Sequence, residues 1–136
     1  MYNNSLIQMV TTSETSVLSN GIIPLTTIQR RRGKAIQSGN NGILLQCPGY
    51  YKISGTITCS VPTAGTVSIQ IQKGGINVSG IMASSTIATA STDLATLSFS
   101  GIIRIYCNEG ISTITLLNSG VAITLENAAL DIEYLD

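Results

Sequence analysis

The side chains able to do chemistry in this 136-residue sequence are three cysteines, three lysines and scattered carboxylates, because the chain contains no histidine. Histidine is the usual general base near neutral pH and the commonest zinc ligand. Without it, an activated serine would need a lysine as its base, and Lys52 and Lys73 are the candidates. Both lysines stand at polar positions of alternating segments, so we expect them on the solvent faces of strands. The sequence therefore predicts no catalytic residues and no enzymatic activity.

The three cysteines, Cys47, Cys59 and Cys107, contain no C-x-x-C pair, so they predict neither a metal site nor a redox site. Cys47 lies just before a predicted strand, and Cys59 lies near the end of that strand. At roughly 3.3 Å per residue, the strand places the two cysteines about 30 Å apart. A disulfide needs α-carbons within about 7 Å, which a straight strand forbids. In a chain made in the cytoplasm, we expect all three as reduced, buried, small hydrophobic residues. We predict no metal ion and no cofactor.

The carboxylates Asp131 and Glu133 alternate onto one face of the last predicted strand. Two acidic groups on one strand face are suited to acid–base chemistry only when a cleft and a proton-transfer partner accompany them. Nothing in the sequence indicates either, whereas charged side chains commonly keep a sheet edge or surface soluble. We interpret this pair as solubilising.

The basic cluster Arg30, Arg31, Arg32 and Lys34 contains four of the chain's seven cationic residues. Such a run is typical of nucleic-acid contacts, but no aromatic residue stands nearby for base stacking and the chain has no net charge. We predict no nucleic-acid partner. The cluster is either a solvated loop between two strands or an electrostatic contact with an acidic protein surface, including the acidic C-terminal region of a neighbouring subunit.

Composition indicates a β-rich domain that hides part of its surface in an assembly. Charged residues make up 10% of the chain, against roughly 25% in average globular domains. Self-association is the simplest way to cover the resulting apolar surface. No apolar run approaches the ~18 residues of a membrane helix, and the segment MYNNSLIQMV lacks the pattern of a secretory signal. We expect no membrane partner and synthesis in the cytoplasm.

The residue pattern divides the chain into a polar segment at 1–19 and a domain at 20–136. The first segment shows little periodicity, so we interpret it as an attachment arm whose apolar anchors are Leu6, Ile7, Met9 and Val10. From residue 20 onward, short apolar runs alternate with Gly, Asn and Pro turn signals, which predicts a β-sandwich or barrel. QIQKGGINV predicts a tight hairpin with Gly74-Gly75 as its loop. Residues 82–96 fit an irregular edge strand, a loop or a short helix.

Strict alternation assigns the faces of three strands. In GYYKISGTITCSV, Tyr50 and Lys52 fall on the face opposite the core, which in an oligomer approaches a neighbouring subunit. The predicted core residues, which share the inner faces of their strands, are Tyr51, Ile53, Ile57, Ile69, Ile71, Phe99 and Ile103.

The segment CPGYYKISGTITCSVPTAGTVSIQIQKGG resembles part of the trimeric jelly rolls of the complement-component and tumour-necrosis-factor superfamily. That family has a Gly-x-Tyr-x-Phe pattern entering a long strand, and Gly49, Tyr51 and Ile53 occupy its positions, with Ile in place of Phe. LSFSGIIRIYCNEGISTITLLNSG and ALDIEYLD are similar to later strands of the family. The resemblance covers roughly residues 20–136 and implies an all-β jelly-roll sandwich that assembles as a homotrimer.

Within this superfamily, the aromatic-poor, Thr/Ala/Gly-rich composition resembles small phage proteins that form head fibres or decorate capsids. The resemblance implies a non-enzymatic structural protein of the virion, attached through residues 1–19 to a capsid or other virion protein. The alternative is a receptor- or glycan-binding head domain of a phage tail or baseplate, or of a bacterial or spore surface protein. In that alternative the partner is a host surface glycan.

Overall fold

The computed structural model describes residues 5–39 and 41–135, and this part of the chain consists of antiparallel β-strands without a helix. Alternating aliphatic and polar residues favour strands that bury one face and expose the other. In chain order the strands are β1 (Leu6–Thr11), β2 (Thr15–Val17), β3 (Thr27–Arg32), β4 (Ile36–Gly39), β5 (Gly42–Leu45), β6 (Gly49–Ser60), β7 (Gly65–Lys73), β8 (Ile76–Ile87), β9 (Ala95–Ile105), β10 (Ser112–Asn118) and β11 (Ile123–Tyr134).

The strands form two sheets that pack face to face as a jelly-roll sandwich. The first sheet has the order β3-β1-β11-β6-β9, and β2 continues along the edge of β11 beyond β1. The second sheet has the order β4-β5-β10-β7-β8. Neighbouring strands are mostly distant in sequence, so the sheets bring together residues from both halves of the chain.

The core lies between the sheets and consists almost entirely of aliphatic side chains. All seven predicted core residues are buried: Tyr51, Ile53, Ile57 and Ile69 are 0% exposed, Ile71 is 1%, Ile103 is 4% and Phe99 is 7% exposed. The phenol of Tyr51 donates to the carbonyl of Cys47 and accepts from the Cys47 N–H at 3.3 Å. Its ring meets Tyr134 edge-on at 5.0 Å. Alternation was therefore sufficient to assign these faces.

The predicted tight hairpin at Gly74-Gly75 is confirmed. Lys73 and Ile76 are the last paired residues on either side of the loop. The two glycines have φ values of 60° and 84°, which is the left-handed region that a two-residue hairpin loop of this type requires.

The prediction that residues 1–19 form a separate arm is wrong for residues 5–19. Strand β1 lies inside the first sheet, hydrogen-bonded to β11 on one side and to β3 on the other. Ile7 and Met9 are core residues with 1% and 3% exposure, whereas Leu6 and Val10 lie half-buried on the opposite face. Apolar residues on both faces weaken the alternation, so the strand becomes evident only through its partners. Residues 1–4 lie outside the described residues.

The position of the basic cluster differs from the sequence prediction. Arg30, Arg31 and Arg32 belong to the fully exposed edge strand β3 and not to a loop, while Lys34 occupies the following turn. Residues 21–25 form only an isolated bridge between Ile22 and Leu117. Strand β11 is continuous from Ile123 to Tyr134 and carries a bulge between Leu125 and Asn127.

Residues 82–96, for which the sequence allowed three alternatives, form a strand followed by a loop. Strand β8 continues through Ile87, and β9 begins at Ala95. The prediction of three buried cysteines is wrong for Cys107, which is exposed in the loop after β9. Cys59 is buried, Cys47 is intermediate, and all three are free. The straight strand β6 runs from Gly49 to Ser60 and separates Cys47 from Cys59, as expected.

Candidate interaction surfaces

Side chains suited to catalysis are not gathered into a site in the described part of the chain. No group of three or more Cys, Asp or Glu side chains that could hold a metal ion occurs among residues 5–39 and 41–135. Lys73 is committed to an ion pair with Glu109, Nζ to Oε2 2.8 Å. Lys52 lies exposed on β6. Those same residues also contain no helix long and apolar enough to cross a membrane.

The outer face of the first sheet, which points away from the core, has a centre of small polar side chains. Register pairs Gln8 with Asp131, Asp131 with Ser54, and Ser54 with Ser100 across four strands. The next row contains Ala129, Thr56 and Ser98. Because these side chains are short, another protein surface can approach the backbone of this sheet closely.

Two shallow clefts occupy this outer face. The first has a volume of about 320 Å³ and is lined by Leu6, Gln8, Arg30, Lys52, Asp131 and Glu133 among others. The second, of about 560 Å³, lies over Ser54, Thr56, Ser98, Ser100 and Ala129. Tyr50 and Lys52, the residues predicted to approach a neighbouring subunit, are exposed on this same face.

Asp131 is a carboxyl that the outer face partly buries. Its Oδ1 is shielded from solvent without a hydrogen-bond partner among the described residues. Burial raises the pKa of Asp131, and a hydrogen bond with Gln8 opposes that rise. A buried carboxylate oxygen without a donor destabilises the charged form. Asp131 therefore favours its protonated state more than an exposed aspartate does.

One end of the sandwich, here called the basal end, is where β1 and β6 begin and where β9 and β11 end. The N–H of Tyr134 donates to the carbonyl of Ser5 at 2.9 Å, and the N–H of Leu135 donates to the carbonyl of Tyr50 at 2.8 Å. Lys73 joins the second sheet to the first by donating to the carbonyl of Arg104 at 3.4 Å. The opposite end, here called the distal end, is where β6 ends and β9 and β11 begin.

Charge is separated between the basal and distal halves of the molecule. All seven cationic residues of the chain lie in the basal half, together with three described carboxylates, which gives this half a net charge of +4 among the described residues. Among the described residues, the distal half has three carboxylates and no cation, a net charge of −3. The basal cations are Arg30, Arg31, Arg32, Lys34, Lys52, Lys73 and Arg104; the basal carboxylates are Glu109, Asp131 and Glu133; the distal carboxylates are Glu14, Asp93 and Glu126.

An aromatic–arginine cluster lies at the basal end. The Arg104 guanidinium stands 5.3 Å from the ring centroid of Tyr50 and 4.5 Å from that of Tyr106. The rings are 45% and 51% exposed. Glu109 fixes the following loop, because its Oε1 accepts the Tyr106 N–H at 2.7 Å while its Oε2 pairs with Lys73. The hydrogen bonds from Lys73 and then from the Tyr106 N–H lower the pKa of Glu109.

Sequence reasoning found only part of these surfaces. It identified Tyr50, Lys52 and the cluster Arg30–Arg32, but it missed Arg104 and Tyr106. The signal was available, because Arg104 and Tyr106 alternate with the buried Ile103 and Ile105 and so must point outward. Only the pairing of Tyr50 with Arg104 in the sheet brings the three side chains together.

Solved structures similar to this chain define the class of fold. The Eiger TNF from S. frugiperda matches with a TM-score of 0.75 at 8% identity, over 99% of this chain and 93% of that chain. The globular domain of zebrafish complement 1qA matches with a TM-score of 0.71 at 6% identity, over 97% and 98% of the two chains. No family model and no curated protein matches the sequence. The chain therefore has the jelly-roll fold of C1q- and TNF-type domains, as the sequence resemblance implied.

A viral protein has the same architecture. The PRD1 vertex protein P5 matches with a TM-score of 0.61 at 15% identity, over 100% of this chain and 99% of that chain. Identities this low show a shared fold and do not by themselves transfer an activity or a partner.

Proposed function

We propose that this chain is a non-enzymatic structural protein of a bacteriophage particle, a head fibre or capsid-decoration protein that assembles as a homotrimer. The observation that carries the proposal is the full-length similarity in fold to the vertex protein of phage PRD1. The low content of charged residues in this chain also supports a role inside an assembly. In this proposal the chain is made in the bacterial cytoplasm and ends up on the virion.

The outer face of the first sheet is the surface proposed for self-association. Its centre of serine, threonine and alanine side chains permits close backbone approach, and the unpaired Oδ1 of Asp131 lies on it. Exposed Tyr50 and Ile102, 45% and 62% accessible, add apolar contact area at its basal side. A neighbouring copy that covers this face removes both from water.

The experiment is native mass spectrometry of the purified chain, followed by electron microscopy of the particle. A trimer at low micromolar concentration and density for the chain on the virion surface support the proposal. Thr56→Arg, which puts a long cation in the middle of the outer face, should leave a folded monomer. Thr86→Arg, an exposed threonine on β8 of the second sheet, is the matched control and should stay trimeric. A monomeric wild-type chain refutes the self-association.

The alternative function, a receptor- or glycan-binding head, is favoured by one feature of the structure. Tyr106 is 51% exposed beside Arg104 at the basal end, and exposed aromatic rings are the usual platform for sugars. A glycan array probed with wild-type protein and with Tyr106→Ala tests this function. Binding that the Tyr106→Ala variant loses supports a receptor-binding head over a purely structural role.

A further inference from the structure

Within residues 5–39 and 41–135, the surface available for attachment is that of the folded sandwich. The segment predicted to be an attachment arm contains strand β1 of the first sheet, and Ile7 and Met9 are buried in the core. Detaching them to reach a partner would expose both side chains to water, at roughly 2–5 kcal/mol for each large apolar group lost from the core. Among the described residues, the contact therefore has to come from the surface of the folded sandwich.

The basal end differs from the rest of the surface in charge. It concentrates every lysine and arginine of a chain that is only 10% charged, while the distal half contains only carboxylates as charged groups in its described residues. Such segregation orients the molecule in the field of a charged partner and speeds productive encounter. An acidic surface attracts the basal end and repels the distal end.

The basal end also carries the side chains that contribute most to protein contacts. Tyr106, Ile76 and Ile111 are 51%, 73% and 63% exposed there. The Arg104 guanidinium stacks on the Tyr106 ring. Tyrosine and arginine are enriched among residues that dominate binding energies. The Lys73–Glu109 ion pair and the bond from the Tyr106 N–H to Glu109 hold this loop in place, so little order has to be gained on binding.

From these observations, and resting on the proposed function, we infer that the basal end is the docking surface of this protein for an acidic protein surface of the particle. The partner presents carboxylates to Arg31 and Lys34, and apolar groups to Tyr106 and Ile111. A protein is favoured over nucleic acid because three carboxylates and several exposed apolar groups lie among the basal cations. Contact through this end leaves the distal end pointing away from the particle.

The test counts copies of the chain on purified particles. Arg31→Glu combined with Lys34→Glu changes two exposed basal positions and should lower occupancy by about tenfold or more. Glu14→Lys combined with Asp93→Lys is the matched control, with two charge reversals at exposed distal positions. It should load at the wild-type level. Thermal unfolding of both double variants checks that each is folded.

Salt and apolar variants complete the test. Wild-type chain should be released from particles as ionic strength rises from about 0.05 to 0.5 M, because the contact is partly electrostatic. Tyr106→Ala with Ile111→Ala should also lose occupancy, whereas Leu18→Ala with Leu94→Ala at the distal end should not.

Each outcome separates the inference from the function on which it rests. Absence of wild-type chain from purified particles refutes the proposed function and the inference with it. If wild-type chain is present on the particles but the basal variants load normally, or the distal variants are lost, the basal docking surface is refuted and the proposed function stands. Release by nuclease identifies nucleic acid as the partner and overturns the acidic-protein assignment. If the purified chain associates with itself through the basal end in a salt-dependent way, the partner is a second copy of the chain, and the acidic-protein assignment is again overturned.

Discussion

Replacing Ile7 by alanine tests whether the N-terminal segment is an integral strand. Ile7 is 1% exposed and packs in the sandwich core, and the change removes three carbon atoms. The transfer term alone is about 2.4 kcal/mol at ~0.8 kcal/mol for each buried carbon group. A residual cavity brings the expected loss of unfolding free energy to about 2–5 kcal/mol. That is a large part of the 5–15 kcal/mol typical of a native domain.

Equilibrium unfolding in urea, followed by far-ultraviolet circular dichroism, measures this loss. The chain has no tryptophan, so intrinsic indole fluorescence cannot serve as the probe. Wild type and variants are compared at one protein concentration, because association stabilises the native state by mass action. The free energy should fall mainly through a lower midpoint, with an unchanged slope.

Leu18→Ala is the matched control, since Leu18 belongs to the same segment but is 75% exposed. It should change the unfolding free energy by no more than about 0.5 kcal/mol. If Ile7→Ala were as mild as Leu18→Ala, β1 would not be part of the cooperative unit and the first assignment of an arm would stand.

Three further predictions concern single buried or exposed groups. Asn118→Ala should lower the free energy of unfolding by about 2–4 kcal/mol in the same assay. The buried Nδ2 donates to the carbonyls of Val17, Leu18 and Val121 at 3.0–3.3 Å, and all three would lose a donor. Asp131→Asn should gain stability relative to wild type as pH rises. Burial raises the folded-state pKa of Asp131 above its usual 3.8, so its contribution is fully present below that value and is lost as pH climbs through the folded pKa. Equal pH profiles for the two proteins would contradict this. In native protein at pH 8, a disulfide reagent should label Cys107 quickly and Cys59 only on unfolding, because Cys59 is buried and burial raises its pKa to about 11.

The faces of the long strands could be predicted from sequence because alternation is a local property. Tyr51, Ile53 and Ile57 are spaced by even numbers of residues, and any sheet that buries one of them buries the others. The Gly74-Gly75 hairpin was equally local, since two adjacent glycines supply the positive φ values themselves. The outward position of Tyr50 and Lys52 follows from the same alternation.

Strands β1 and β3 could not be predicted because their stability comes from partners far away in the sequence. Leu6–Thr11 is apolar on both faces, and Thr27–Arg32 is exposed along its whole length. Neither has a periodicity of its own that marks a strand. Hydrogen bonds from β11 hold β1, and β1 in turn holds β3.

The sequence by itself determined that this chain folds as an aliphatic β-sandwich, because its alternation and turn residues act over a few positions. Only the tertiary structure decided which residues share a surface. Arg104 meets Tyr50 across 54 positions of sequence because β6 and β9 are neighbours in the first sheet. The same topology gathers the cations Arg31 and Lys73 at one end of the molecule. Pairing of distant strands is a global property, since it depends on which faces bury the most apolar surface together.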